Sequence, residues 1–326
     1  MKSVLFTVVL LLMSFTLFAQ NRGTGFEMLN ISPTSYSLSR AEATVSVPEG
    51  AASLHINPAL LALNTSSSVD LGYSFWIEDV SNIFGGVNFK NDRHAIAFSF
   101  YSSGADDYEQ RNTPSPEPNG TFSIQNLAIG AAYAYDFEYF SLGGAVQYLN
   151  ESIYTYRASG YAFNMGIASQ FLDGRIRTGA SISNIGEMEE LDVEATTLPT
   201  NFRAGASADL FEVTAPKNNE LPILVSAYLD YMYPLSDNEN TDLSDYRTSD
   251  PYFSLGLGFN IAEVVELSGG YKFKIEDILN REFEGYTERP FAFGASFIAD
   301  NIKFDYALVP FSGWGTVHSI GIQYKF

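Results

Sequence analysis

From residue 66 to the end, the chain repeats one pattern: segments in which apolar residues alternate with small or polar ones, separated by turn chemistry. A period of two puts successive side chains on opposite faces of a strand. Fourteen such segments are read, at 69–77, 82–90, 94–102, 122–135, 140–149, 160–171, 175–183, 201–210, 222–233, 252–260, 264–275, 290–298, 302–308 and 317–326. Most approach the roughly 9–11 residues that a tilted membrane-crossing strand requires. Phe202, Ala204, Ala206, Ala208 and Leu210 oppose Asn201, Arg203, Gly205, Ser207 and Asp209. Phe253, Leu255, Leu257 and Phe259 likewise oppose Ser254, Gly256, Gly258 and Asn260. The apolar faces stay free of charge from strand to strand. A charge at the bilayer midplane costs about 2–4 kcal/mol, so a lipid-facing surface has to look like this. Pro199, Pro222, Pro251 and Pro290 stand at strand starts, where a missing N–H does least harm.

The links between segments alternate as well. Those at 91–93, 136–139, 173–174, 261–263 and 299–301 are tight, whereas those at 103–121, 150–159, 184–200, 234–251, 276–289 and 309–316 are mostly longer. Short periplasmic turns alternating with longer external loops are the habit of outer-membrane barrels. The links at 78–81 and 211–221 fit the alternation less well. The expected fold class is all-β: a 14-stranded antiparallel transmembrane β-barrel preceded by an N-terminal segment. An even strand count returns both barrel ends to the periplasm. The last strand then pairs with the first and removes both edges. In it, Ile320, Ile322, Tyr324 and Phe326 face lipid, and Gln323 and Lys325 face the lumen. A terminal aromatic also resembles the assembly signal of bacterial outer-membrane barrels.

Met1 and Lys2 precede an apolar run over 4–18 that ends in Ala19-Gln20. This reads as a secretory signal peptide at 1–19. Residues 20–65 read as a separate segment before the barrel, and 66–326 as the barrel. No other run of 18 apolar residues occurs, so a membrane-bound mature chain has to cross as a closed barrel. Aromatics make up 15 %, which suits strands and interfacial girdles, and charged residues only 17 %. The net charge of −20 excludes nucleic acid as a partner, because phosphate binding needs Lys and Arg. The absence of cysteine excludes disulfides, thiolate metal sites and cysteine nucleophiles.

Within the N-terminal segment, 36–47 reads as a short helix or hairpin. Asn57-Pro58 initiates a turn, with Pro58 suited to the first turn of a short helix ending near Leu63. Fourteen strands behind a segment with an Asn-Pro-Ala turn resemble the fatty-acid-transporter (FadL-type) barrels, whose N-terminal segment forms a hatch in the lumen. The resemblance implies that residues 20–65 are such an N-terminal hatch segment, on the periplasmic side. The chain is still more similar to the PorV/PorQ family of outer-membrane proteins, associated with type IX secretion. The resemblance is carried in order by Ser39-Arg40-Ala41, 52–61, 147–151, 158–166, Ser181-Ile182-Ser183-Asn184-Ile185-Gly186, Leu198-Pro199-Thr200-Asn201-Phe202-Arg203-Ala204-Gly205, 305–311 and Lys325-Phe326. Two positions depart from the family pattern: Leu60 replaces a glycine, and Glu42-Ala43-Thr44 replaces a glycine-rich run. The resemblance implies an outer-membrane accessory of type IX protein secretion. It implies contact with the lipid bilayer and lipopolysaccharide, and with secreted cargo or secretion-machinery proteins through external loops. The alternative it implies is a FadL-like transporter of a hydrophobic small molecule.

Chemistry-bearing motifs are lacking. There is no G-x-S-x-G elbow, no H-E-x-x-H and no P-loop, and His94 and His318 fall at opposite rims of the expected barrel. No catalytic residue, metal ligand or cofactor is assigned, and a monomeric barrel is expected. Hatch or ligand-gating candidates are His55, Asn57, Pro58 and Ala59. Four of the external links, at 103–121, 184–200, 234–251 and 276–289, hold 19 of the 38 acids. Among them Asp237, Glu239, Asp242 and Asp245 are the partner-binding candidates; Asp242 stands where a calcium loop needs glycine. The expected lumen carries charges of both signs, including Arg203, Asp209, Asp230, Glu266, Lys272, Lys303 and Asp305. Mixed signs point to mutual pairing or to tethering of a hatch rather than to ion selection.

Overall fold

Each of the fourteen alternating segments forms a strand in the computed structural model, which describes residues 25–110, 119–191, 195–214, 221–236, 251–274, 291–311 and 315–326. The strands are β1 (Ser68–Phe75), β2 (Ser81–Asn91), β3 (His94–Gln110), β4 (Gly120–Asp136), β5 (Ser141–Ile153), β6 (Tyr156–Phe171) and β7 (Ile176–Glu190). After a three-residue β8 (Ala195–Thr197) come β9 (Asn201–Thr214), β10 (Pro222–Pro234), β11 (Tyr252–Ile261), β12 (Val265–Lys274), β13 (Phe291–Ala299), β14 (Ile302–Phe311) and β15 (Gly315–Lys325). Each pairs antiparallel with its sequence neighbour, except that β9 pairs with β7 along its lower part and β8 takes over above. The seam closes as expected: β1 pairs with β15 from Ser68↔Lys325 to Phe75↔His318.

The faces follow the alternation. Leu255, Leu257, Phe259, Leu267, Ile320 and Ile322 are exposed on the outer surface, which bears no charge at its middle among the described residues. The inner face is built from small and polar residues, such as Ala95, Ala97, Ala128, Ala132, Ser254 and Ser319, all buried. Tight turns use positive φ at both central residues, as at Asp173-Gly174 and Ala262-Glu263, matching the twist of the flanking strands. Several strands outrun their expected ends. β3 continues to Gln110 and β7 to Glu190, because the alternation there loses its apolar outer face once the wall rises beyond the bilayer.

Small wall side chains leave room, and residues 25–65 fill it. This segment folds into short helical turns at Glu27–Asn30, Ser35–Leu38, Gly50–Ala52, Ser53–Ile56 and Pro58–Leu63. Thr34 caps the second, accepting from the Ser37 amide at 3.2 Å, and Asn57 caps the last, accepting from Ala59 N at 3.1 Å. None has the length to hold itself together as an isolated helix in water. The contacts that fix them come from the wall, from strands right round the circumference. Ala51 N donates to Asp70 of β1, His55 meets Ser99 of β3, and Ser141 of β5 donates to Ala59 O. Ser181 of β7 donates to Ile56 O, Val45 N donates to Asp230 of β10, and Ser35 meets Ser319 of β15. Partners on all sides put the segment inside the barrel, as a plug.

The plug is not confined to the periplasmic end, which corrects the expected placement. Gly25 N donates to Thr197 O (3.0 Å) in the long β7–β9 link, and Asn30 accepts from Asn201 (2.7 Å) at the top of β9. At the other end Ser67 O accepts from Phe326 N. The described part of the segment therefore runs the length of the lumen, from Gly25 at the long-loop rim to Ser67 at the tight-turn rim. The signal peptide expected at 1–19 lies outside the described residues.

Candidate functional site

The plug meets the two halves of the wall by different physics. Against β2–β6 the contact is apolar. Phe26, Met28, Ala51, Ala52, Leu54 and Leu61 pack on Phe84, Tyr101, Ala128, Ala132 and Leu149, with Met188 and Leu198 above. Leu54, Leu60 and Leu61 are fully buried, each worth about 1.5–3 kcal/mol of transfer free energy. Close approach needs glycine at two points on the wall. A Cβ on Gly143 would run into the Pro58–Ala59 backbone, and one on Gly270 into the Arg40–Ala41 backbone.

The four hatch candidates lie together in this apolar half. Asn57 is fully buried and uses both ends of its amide. Oδ1 starts the Pro58–Leu63 turn, while Nδ2 donates to Val45 O at 2.9 Å and to Ile167 O of β6 at 3.2 Å. Pro58 occupies the first helical position, where its missing N–H costs nothing. Ala59 offers its carbonyl to Ser141 at 3.0 Å. His55 Nε2 lies 3.0 Å from Ser99 Oγ, with Phe84 and Tyr101 edge-on at 5.9 and 5.8 Å. Burial pulls the His55 imidazole down to about 4, against a smaller opposing pull from Gln147. Leu60, where the resemblance implies glycine, is buried among Ala59, Leu63 and Ala168.

Against β10–β15 the contact is ionic, and here the lumen charges named from the sequence meet plug residues, Tyr36, Arg40 and Glu42, whose part in it sequence reasoning did not single out. Arg40 is fully buried and paired with Glu266; its Nη1 donates to Tyr36 O at 2.9 Å and Ser39 Oγ at 3.1 Å. Burial opposes its charge, but Tyr36 and Glu266 more than compensate, so the guanidinium stays ionised. The Tyr36 ring lies between two cations, Arg40 at 3.6 Å and Lys303 at 3.7 Å. Lys303 pairs with Asp305 at 3.1 Å, and Lys272 reaches Glu42 at 2.5 Å. Ala41 and Glu42 have φ of 52° and 63°, a left-handed conformation that non-glycine residues adopt at a cost of about 1–3 kcal/mol each. Glu42 thus holds a left-handed backbone in the stretch where the resemblance implies glycines, and adds an ion pair to Lys272. The mixed lumen charges do tether the plug. The only sequence signal for Arg40 was its place in the Ser39-Arg40-Ala41 motif.

Glu49 stands between the halves, accepting from Thr34 Oγ1. Burial raises its carboxyl to about 7, with Thr34 and Thr44 hydroxyls pulling the other way. It borders a cavity of about 60 Å³, shared with Asp70, Lys303, Asp305 and Gln323. That is room for a few waters. A larger space of about 470 Å³ opens at the tight-turn end, lined by Asn64, Arg177, Asp209, Tyr228 and Lys325. Both spaces are polar. The apolar volume beneath the long loops is filled by the chain's own Phe26 and Met28.

Asp237, Glu239, Asp242 and Asp245 lie outside the described residues. His94 and His318 sit on the outer surface at opposite rims, 2.8 Å from Tyr133 OH and 2.7 Å from Tyr306 OH. The structure brings neither into contact with His55, which lies inside the plug.

A profile of the family described as "Type IX secretion system protein PorV" matches residues 19–225. The fold is similar to the CymD monoaromatic hydrocarbon channel (TM-score 0.59, 13 % identity, covering 93 % of this chain and 99 % of that one). It is also similar to the toluene transporter TodX of Pseudomonas putida (TM-score 0.57, 11 % identity, 88 % and 98 %). At such identities the likeness is one of fold. No curated protein matches the sequence.

Proposed function

The chain belongs to the PorV family of type IX secretion system proteins, a barrel of the outer membrane, and on that premise we propose that it serves protein secretion as a non-conducting accessory. In this reading it binds secreted cargo or machinery proteins through its external loops, with the acidic 234–251 link, including Asp237, Glu239, Asp242 and Asp245, as one contact. The observation that carries the reading is the filled lumen. Contacts from strands around the barrel hold the plug, so work done by this molecule falls to its rims.

The FadL-like alternative draws on the fold shared with a hydrocarbon channel and a toluene transporter. A transporter needs an empty apolar pocket beneath the loops, and here Phe26, Met28 and Leu198 occupy that place. In that alternative His55 and the Asn57-Pro58-Ala59 turn would be the gate. Deleting 234–251 separates the readings: cargo secretion should be abolished while the barrel still assembles. Continued secretion together with reduced uptake of a hydrophobic compound would sink the accessory role.

A further inference from the structure

Among the described residues the barrel wall is uneven in height. β3 and β4 have 17 residues each, against 8 and 11 in β1 and β2, and β2 pairs with β3 only as far as Gly104. The surplus rises from the long-loop rim as a sheet of β3, β4, β5 and β6. Phase identifies its inner face: Phe122 and Ile124 share parity with Ala128 and Ala132, which are buried against the plug, and Ile124 pairs with Ile153, which pairs with Tyr156. A bulge between Ala105 and Tyr108 returns Tyr108 to that face, opposite Phe122.

On this face the sequence places rings rather than the polar residues expected of a solvated loop. Tyr108 stacks on Phe122 at 5.6 Å, and Phe122 meets Tyr154 edge-on at 6.1 Å. Tyr154 and Tyr156 remain 52 % and 45 % exposed. Tyr154 occupies a hairpin turn at φ 57°, a conformation that favours Asn or Gly, so an aromatic is kept there against local preference. A space of about 520 Å³ lies beside the row, bordered by Asp106, Phe122 and Tyr154. Asp106 borders it, and Glu187, Glu189 and Glu190 are exposed on the upper part of β7, the neighbour of β6. The six long links hold 20 acids against five basic residues: Arg111, Arg157, Arg247, Arg281 and Arg289.

We propose that this raised aromatic face is a docking shelf for an extended, basic segment of a partner protein. Alternate side chains of an extended chain recur about every 6.6 Å, close to the ring spacings along the row. Aromatic anchors within a polar surround are the usual makings of a binding hot spot. The acidic surround selects Lys and Arg, and it repels the phosphates of lipopolysaccharide, the other abundant neighbour at this rim. The proposal rests on the accessory reading and gives it a site and a partner chemistry.

The test uses the whole protein in detergent micelles, titrated with a short alternating Val/Lys peptide and its Val/Glu counterpart. The Val/Lys peptide should bind, weaken as salt rises, and lose about tenfold or more in affinity to a Phe122→Ala/Tyr154→Ala variant. Unaltered gel mobility without boiling shows that the variant barrel is folded. Equal binding of the two peptides, equal binding to variant and wild type, or displacement by lipopolysaccharide would overturn the shelf. Secretion keeps the two ideas apart. If deletion of 234–251 stops cargo export while the shelf variant exports normally and binds the peptide normally, only the shelf falls. If neither change affects export, the accessory reading falls with it.

Discussion

Two buried titratable residues set opposite pH dependences on the plug. Glu49 has its carboxyl raised to about 7, so the folded state holds a proton that the unfolded state releases near 4.5. Its contribution is therefore greatest below 4.5 and is lost as pH climbs to 7. His55 is lowered from 6.5 to about 4, so its contribution is full above 6.5 and is lost as pH falls to 4. Each amounts to about 3 kcal/mol at most, and over the shared window the two slopes have opposite signs. Read from hydrogen exchange at the Ala51 amide, the pH slope of plug stability should become more positive in Glu49→Gln than in the native chain, and more negative in His55→Gln. Single variants whose pH profiles both match the native one would show that neither residue titrates as described.

At the scale of elements, the strands were legible and the plug was not, for a physical reason. A lipid face demands strict alternation, and Phe202–Leu210 or Leu255–Phe259 display it without reference to anything else in the chain. The plug's helical turns are three to six residues long, and residues far away in sequence fix them. Arg40 and Glu266 are 226 positions apart. The left-handed Ala41-Glu42 turn carries no glycine to announce it. Asn57-Pro58 was visible because its capping chemistry is local. The upper parts of β3 and β7 were missed because their outer residues no longer meet lipid. The fit of plug to wall predicts an asymmetry between neighbouring glycines. Gly143→Leu should drive a side chain into the Pro58–Leu63 turn, weakening docking by about 1–3 kcal/mol and admitting ions in planar bilayers. Gly144→Leu points to lipid and should do neither. Equal behaviour of the two would contradict the assigned faces.

For the molecule as a whole, one strand pattern accounts for the membrane, and the plugged lumen supports the proposal that activity lies at the rims. A net charge of −20, with 20 of the 38 acids in the long links, gives the external rim its sign. Ser35 and Ser319 bring their Oγ atoms to 2.9 Å between plug and β15, and the natural chain has no cysteine. A Ser35→Cys/Ser319→Cys pair therefore offers a single disulfide that locks the plug in place. The decisive measurement is cargo secretion by cells carrying this pair, before and after oxidation. The account predicts unchanged secretion with the plug locked. Secretion lost on oxidation and restored on reduction would mean that the lumen has to open, and would contradict it.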